Sequence, residues 1–536
     1  MTTLFKYSLS APGQILRCSF LNSKTCALYV DNVSYSYEQL SHDILKLTSF
    51  FIEQQLSETS IGVYAARNYE SYVAAIAIML SSNRYVPLNP KFPVDKNSKI
   101  CELSEIKYVF LGDQDSKPYC ELHRELSTQP IVIRNSLKKG DVFDAEFLYW
   151  DEHKYNLDDT LLDLINNLAK PEQIAYILFT SGSTGLPKGV PITHKNLASY
   201  IHNVKSLTHL KTNDRCTQMF DLTFDLSIHD IFVTLSSGAS LYVVPDKSVT
   251  APAKFIKEHE LTHWFSVPSV ISFMKTFKML KENAFPFLKM SLFCGEALSV
   301  DNVKIWQKAC PNSKITNIYG PTEATIGITY FHWNDSLNEL KFEKDIVPIG
   351  KAFTEQEAVV MDEKLNPTIE NESGELYLSG EQLSPGYWKN NETTAKIFIF
   401  DPKTRKTWYK TGDIAKLTKH GLCYLGRSDS QVKICGYRVE LGEIESTIKQ
   451  LTKAEFVCAF STPLKNENAT GIEVFVSTNE FSIIELLSLC KKSLPSHMVP
   501  KKVYILQDFP FNDNGKIDRP ALFKILEQKY VDSKDF

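Results

Sequence analysis

Tyr176-Ile-Leu-Phe-Thr-Ser-Gly-Ser-Thr-Gly-Leu-Pro-Lys-Gly-Val190 is the stretch on which the reading of this sequence turns. It opens as an apolar run of strand character and continues as a loop dense in Gly, Ser and Thr. Such a loop can surround anionic oxygens with backbone N–H groups and hydroxyls. Gly182, Gly185 and Gly189 let the main chain approach closely, and Lys188 adds a positive charge. Composition alone leaves a solvated hairpin loop as the alternative. A Walker A loop needs Gly-Lys-Ser/Thr leading straight into a helix, whereas Lys188 is followed by Gly189, Val190 and Pro191, so the P-loop NTPase pattern is absent.

Outward from the loop, segments of helical period alternate with short β-rich runs. The pattern predicts helices over Tyr37–Gln54, Tyr69–Ser81, Asn196–Ser206, Ala251–Glu258 and Val300–Ala309. Strands are expected at Ser60–Tyr64, Ala175–Thr180, Ser240–Val244 and Ser291–Cys294. That rhythm signals layered α/β subdomains, and no fixed-period repeat points to a solenoid or propeller. From about Leu340 short strands punctuated by Gly, Asn and Pro, as in Glu372–Gly380 and Gly421–Gly426, predict a small β-rich subdomain. Charged and polar residues then cluster between Gly426 and Gly436. Beyond them a compact α+β pattern follows: helix Glu440–Leu451, strands Glu455–Ser461 and Glu473–Val476, helix Ile483–Lys492 and strand Lys502–Ile505. A boundary near Arg427 to Ser430 divides the chain into a large N-terminal domain, 1–428, and a small α+β C-terminal domain, 429–536.

The chain of 536 residues has 43% hydrophobic and 23% charged residues, ordinary for a globular protein with several cores. A net charge of −4 offers no basic field for nucleic acid or an anionic membrane, so small molecules or proteins are the expected partners. Eleven cysteines are scattered from Cys18 to Cys490 without a CxxC pair, which fits a reducing cytoplasm better than a zinc ribbon or a disulfide scaffold. Residues Met1 to Gln14 lack a signal-peptide pattern, and the longest apolar run, Val73 to Leu80, is far too short to span a bilayer. A soluble, unexported protein is expected.

The phosphate-loop stretch resembles the signature of acyl- and amino-acid-activating adenylate-forming (AMP-binding) enzymes. Further motifs of that superfamily follow in order: Cys294-Gly-Glu-Ala-Leu-Ser299, Asn317-Ile-Tyr-Gly-Pro-Thr-Glu-Ala324, Gly374-Glu-Leu-Tyr-Leu-Ser-Gly380, Tyr409-Lys-Thr-Gly-Asp413, Gly426-Arg-Ser-Asp-Ser-Gln-Val-Lys433, Gly436-Tyr-Arg-Val-Glu-Leu-Gly-Glu-Ile-Glu445 and Asn514-Gly-Lys-Ile-Asp518. The resemblance implies adenylation of a carboxylate with ATP and Mg2+. In-line attack at the α-phosphorus rests on positioning and on neutralising growing negative charge. It implies that Lys516 bridges the substrate carboxylate and the α-phosphate, that Glu323 is the magnesium ligand, and that Thr184 lies near the same phosphates. It further implies an ATP site formed by Thr180, Ser181, Gly182, Ser183, Gly185, Lys188, Asn317, Gly320, Thr322 and Arg427. In that site Tyr319 stacks on adenine, Gly295, Glu296 and Ala297 line its plane, and Asp413 accepts both ribose hydroxyls.

In amino-acid-activating members an aspartate at the position of Asp225 pairs with the substrate ammonium, and acyl-CoA synthetases have no such requirement. A buried carboxylate without a partner is costly, so Asp225 tilts the reading toward amino acids. Asp221 and Asp230 are expected to be loop or cap residues, and the same reading is the plain alternative for Asp225. The matched pocket positions Leu226, His229, Phe265, Leu292, Cys294, Ile318, Ile326 and Gly327 are apolar and fairly filled, which favours a small uncharged side chain. The sequence is similar here to D-alanine:D-alanyl carrier protein ligases and to stand-alone L-prolyl carrier protein adenylases. D-alanine ranks slightly above proline. Cys294 reads as a small buried hydrophobe rather than a nucleophile.

The second half-reaction implied is transfer to the phosphopantetheine thiol of a separate carrier protein, with Asp429 as hinge and Lys433 and Gly436 on the face then presented. Cys435 departs from the family pattern, standing where a basic residue is usual. The alternatives are a CoA ligase for a small carboxylic acid, and a catalytically silent binding protein that kept the fold.

Overall fold

A computed structural model describes residues 10–64, 66–113, 116–135, 145–151, 169–182, 186–429, 431–462, 469–478, 480–511 and 517–532. The expectations placed on Ser183, Thr184, Gly185 and Lys516 fall outside the described residues. The chain divides into two compact units. The first holds Met1–Pro90, Asn97–Phe179 and Gly189–Ser428, and the second gathers Asp429–Phe536 with the short segments Lys91–Lys96 and Thr180–Lys188.

Three sheets build the first unit. A nine-stranded sheet runs in the order Lys351–Ala352, Thr329–Trp333, Lys314–Tyr319, Met290–Phe293, His263–Ser266, Arg215–Gln218, Ser240–Val243, Cys26–Val30 and Val33–Ser36. Its centre is parallel and both edges are antiparallel. A seven-stranded sheet follows the order Phe147–Tyr149, Ile131–Arg134, Tyr108–Phe110, Ser60–Tyr64, Arg84–Leu88, Ile174–Thr180 and Lys188–Thr193. Ser60–Tyr64 is buried along its whole length, as a central parallel strand covered on both faces must be. The β-rich sheet expected after Leu340 consists of Gln356–Met361, Ser373–Gly380, Lys406–Thr418, Phe398–Asp401 and Gly421–Arg427, all antiparallel.

Several helices start where side chains satisfy their first amides. Ser36 and Gln39 form a capping box for Tyr37–Glu53, Asn68 caps Tyr69–Leu80, and Thr193 with Asn196 boxes His194–Thr208. Tyr69–Leu80 is apolar on nearly every side, and Ser71 to Leu80 are all buried within the main core. The helix expected from Ala251 begins at Ala253, because Pro252 is the N-cap.

The second unit has its own core, with Ile434, Val439, Ile444, Val474 and Met498 among the buried residues. It contains the hairpin Gln431–Ile434 and Tyr437–Glu440, the sheet Val457–Thr462, Gly471–Val476 and Lys502–Ile505, and the helices Leu441–Thr452, Ile483–Ser493 and Arg519–Asp532. All eleven cysteines are free thiols. Among the described residues no helix is long and apolar enough to cross a membrane.

Candidate active site

The site residues of the first unit converge where strand Lys314–Tyr319 turns into the strand Thr329–Trp333, its antiparallel neighbour. Tyr319 ends the first strand, and Gly320 follows it with its Cα against the return leg. A Cβ on Gly320 would come within 2.6 Å of Gly327 Cα and 2.9 Å of Ile326 O, so only glycine lets the two legs close. Thr322–Ala324 is a short 3-10 turn, and Thr325 and Ile326 then take left-handed backbone at φ 55° and 72°. Two consecutive β-branched residues in that region are strained and persist only where the surroundings over-determine them. Gln382 supplies that constraint. Its Nε2 donates to Gly327 O at 2.7 Å and Ala324 O at 3.3 Å, while its carbonyl accepts from Thr325 Oγ1 at 2.5 Å. Asn203 Nδ2 holds the Gln382 side chain from the other side at 3.1 Å.

Within this turn Glu323 is 1% exposed; its carboxylate accepts from Tyr387 Oη at 2.7 Å and its carbonyl from Ser384 N at 2.8 Å. A buried carboxylate that accepts from a neutral hydroxyl is a hard oxygen donor of the kind magnesium takes. Among the described residues no cluster of three or more His, Cys, Asp or Glu could enclose a metal, so an ion here would depend on phosphate oxygens and water for most of its shell.

A second group joins strand ends 94 residues apart. Tyr319 Oη donates to Asp413 Oδ2, and Arg427 Nη1 meets Asp413 Oδ1 at 2.6 Å. Asp413 is buried and Arg427 nearly so, with side-chain exposures of 8% and 11%. Arg427 Nη2 also reaches Thr411 O at 3.2 Å. Burial, reinforced by the Asp413 charge, pushes the Tyr319 phenol well above its usual range, so it stays a donor. Cys294-Gly-Glu-Ala297 follows strand Met290–Phe293, and Gly295 lies over Val267 and Leu226. Glu296 Oε2 accepts from Ser269 N at 2.8 Å at the start of helix Ser269–Thr276, and Asn317 Nδ2 is engaged by Val347 O and Pro348 O.

The third group gathers the residues matched to substrate binding. Asp225 stands at the head of helix Leu226–Leu235, 5% exposed, and its Oδ2 accepts from Thr322 Oγ1 at 2.8 Å. One turn along the same face, His229 packs on Phe265 with ring centroids 4.2 Å apart. Leu226, Leu292, Cys294, Ile318 and Ile326 are all buried, and Cys294 Sγ lies 4.0 Å from Ile326 O. Burial pushes His229 down to about 3, so the ring is neutral at pH 7. Asp221 is a turn residue: its Oδ1 accepts from Thr223 N and Oγ1, and its Oδ2 from Asn89 Nδ2. Asp230 is buried in the helix, its pKa raised well above the ordinary range by that burial.

Sequence reasoning did not single out Tyr200, Gln382 or Tyr387. Tyr200 touches two residues of the third group: its Oη lies 2.7 Å from His229 Nδ1, and its Cε2 is 3.7 Å from where a Cβ on Gly327 would stand. None of the three residues lies in a glycine-rich or charged motif, which is the signal a sequence offers.

In the second unit the phosphate loop begins at Thr180. Ser181 Oγ donates to Arg438 O at 2.6 Å, and Gly182 packs so tightly under the loop that a Cβ would meet Leu186 O at 2.1 Å. Lys188 opens the strand Lys188–Thr193. Asp429 Oδ1 accepts from Gln431 N at 3.1 Å. Cys435 and Gly436 link Ile434 to Tyr437 as a two-residue hairpin turn, with φ 49° and 85°. Positive φ at both positions is the type I′ requirement, so Cys435 occupies a turn corner.

Residues 21–388 match the AMP-binding enzyme family. Among curated proteins, the chain is 30% identical over 508 residues to bacitracin synthase 3 of Bacillus licheniformis, covering 93% of this chain and 7% of that protein. It is 29% identical over 519 residues to tyrocidine synthase 1 of Brevibacillus parabrevis, covering 92% of this chain and 43% of that one. The chain thus spans less than half the length of these relatives. Among solved structures it is similar to the Vibrio cholerae adenylation domain AlmE in complex with glycyl-adenosine-5′-phosphate, with a TM-score of 0.87, 32% identity, and coverage of 97% of this chain and 98% of that one. With a family match across most of its length and the same α/β architecture as that adenylation domain, the chain belongs to the AMP-binding enzyme family.

Proposed function

We propose that the chain adenylates a small uncharged amino acid with ATP and then passes the aminoacyl group to the phosphopantetheine thiol of a carrier protein. In the first step a carboxylate oxygen attacks the α-phosphorus and the bond to pyrophosphate breaks. In the second the thiol sulfur attacks the aminoacyl carbonyl, the thiol proton leaves, and AMP departs. The observation that carries this reading is the buried Asp225 carboxylate, fixed by Thr322 one helical turn from His229. An amino acid's ammonium compensates such a carboxylate, and a fatty acid does not. The glycyl-adenylate held by the similar AlmE domain supports a substrate in the size range of glycine, alanine of either hand, or proline.

In this reading Asp413 binds the ribose, with Arg427 and Tyr319 fixing its orientation, and the Tyr319 ring flanks the adenine. The amides of Thr180–Lys188 and the Thr184 hydroxyl bind phosphates. Magnesium held by Glu323 would neutralise charge on the phosphate oxygens. Lys516 supplies the cation at the α-phosphate. Residues 429–536 form the mobile domain that turns at Asp429 between the two steps. The carrier lies outside these 536 residues, and the eleven free thiols fit a reducing, cytoplasmic setting.

ATP–pyrophosphate exchange against a panel of D- and L-amino acids and short carboxylic acids tests the reading. Exchange driven by a small amino acid is the expected result. Exchange driven only by simple carboxylic acids would make this a CoA ligase and reduce Asp225 to a structural residue.

A further inference from the structure

Tyr200 lies on helix His194–Thr208 and is completely buried. Its contacts join two candidate substrate residues that the sequence places 98 positions apart, His229 and Gly327. The ring meets His229 edge-on at 5.9 Å between centroids, packs against Phe353 at 6.5 Å, and backs Gly327. The same added Cβ on Gly327 would stand 2.4 Å from Ile318 Cγ2, so Ile318 and Tyr200 both close the side-chain face of this glycine. Burial, and after it the neighbouring Cys294 and Asp225, push the Tyr200 phenol well above its usual range, so it keeps its hydrogen.

The hydroxyl has a direction as well as a distance. A phenol carries one hydrogen, and in a fully buried position that hydrogen needs an acceptor. The bond to His229 Nδ1 meets that need if Tyr200 donates, which leaves the His229 proton on Nε2. Tyr200 thereby holds one tautomer and one ring orientation of a residue that already packs on Phe265.

We infer that Tyr200 is a specificity-determining residue, its ring forming the back wall of the amino-acid pocket behind Gly327 and its hydroxyl locking His229, so that the site refuses branched and long side chains. This deepens the amino-acid reading above and rests on it. Branched and long side chains are excluded by a wall that is itself part of the core and cannot swing away without losing a buried hydrogen bond.

Two substitutions test it by steady-state exchange with glycine, alanine, valine and leucine. Tyr200→Phe keeps the volume and removes the lock. It is expected to raise the KM of the preferred amino acid about tenfold, with the KM for ATP unchanged. Tyr200→Ala removes the wall. It is expected to raise the kcat/KM ratio of valine or leucine to glycine by about thirtyfold or more, the range one or two methylenes command in an apolar pocket. A merely structural role would lower activity toward every amino acid in proportion and leave these ratios alone. If Tyr200→Ala does not fold, the isosteric Tyr200→Phe decides the point. Unchanged amino-acid KM in folded Tyr200→Phe, or an unchanged ratio in folded Tyr200→Ala, overturns the inference. Failure of the underlying reading shows separately, as wild-type protein that exchanges with no amino acid.

Discussion

The first unit holds two buried polar clusters built on opposite principles. Around Asp413 the chain sets a full ion pair with Arg427 and closes it with the Tyr319 phenol. Around Asp225 and His229 two neutral hydroxyls take part, that of Thr322 with Asp225 and that of Tyr200 with His229. A charged pair in low dielectric is rigid and severe to disrupt, which suits a site for a ligand that never changes, such as a nucleoside. Neutral hydroxyls orient without committing a charge, so an incoming ammonium keeps its attraction to Asp225, and small changes there retune selectivity. On the proposed reading, damage around Asp413 should be large and indiscriminate, and damage around Asp225 smaller and selective.

The largest loss is expected at Lys516, to which the proposed function gives the cation at the α-phosphate. Lys516→Ala should reduce amino-acid-dependent adenylate formation by about 10²–10³-fold while leaving thermal unfolding in place, because it removes the cation at the developing charge. Unaltered exchange by that variant would remove Lys516 from the mechanism. Asp413→Ala comes next, since it removes the carboxylate that pairs with the Arg427 guanidinium. It should lower stability by about 3 kcal/mol and raise the KM for ATP whatever amino acid is supplied. A rise confined to the amino-acid KM would erase the distinction between the clusters. Asp225→Ala should raise the amino-acid KM by roughly tenfold to a hundredfold and leave ATP binding alone, read by isothermal titration with each ligand separately.

Acid separates the clusters further. His229 is held neutral, its pKa lowered by burial to about 3, and His194 in the same unit is lowered to about 4. Their unfolded values are about 6.5, so below that pH the unfolded chain binds protons that the folded chain refuses. Stability is full above pH 6.5 and falls as the pH drops from there toward 4 and 3, by about 2 kcal/mol per histidine at pH 5. His194→Gln should flatten the slope of melting temperature against pH between 6.5 and 4. An equal slope in wild type and variant would show that this ring takes a proton without unfolding.

What the sequence made legible follows the same division. The strand Ser60–Tyr64, the helix Val300–Ala309 and the strand Lys502–Ile505 occur with the boundaries that period and composition predict, because each is set by neighbours within one or two turns. Asp413 and Glu323 stand out as candidates through motifs, which are local too. The contacts that define the acyl side are not local: Thr322 to Asp225 spans 97 residues and Gln382 to Gly327 spans 55. Tyr200 looks like any core aromatic on an amphipathic helix, and only tertiary packing brings its hydroxyl to His229. Cys435 shows the reverse limit. Its sequence reading concerned a missing charge, whereas its backbone describes a turn corner.

Thr322 sits at the seam of the comparison and yields the smallest effect and the sharpest question. By motif it belongs with the nucleotide residues, yet its hydroxyl is bonded to Asp225 on the acyl side. Thr322→Val keeps the shape and deletes one hydrogen bond to a carboxylate, a loss of about 1 kcal/mol, or roughly fivefold in binding. If that fivefold appears in the amino-acid KM and not in the KM for ATP, Thr322 orients Asp225 and the two clusters are functionally distinct. If it appears in the KM for ATP instead, the turn Thr322–Ala324 serves the nucleotide through both Thr322 and Glu323. Asp225 would then need another source of order. A rise in both constants would mean that the strained turn has relaxed as a whole, and restoring the hydroxyl with Thr322→Ser would separate that backbone effect from the loss of one bond.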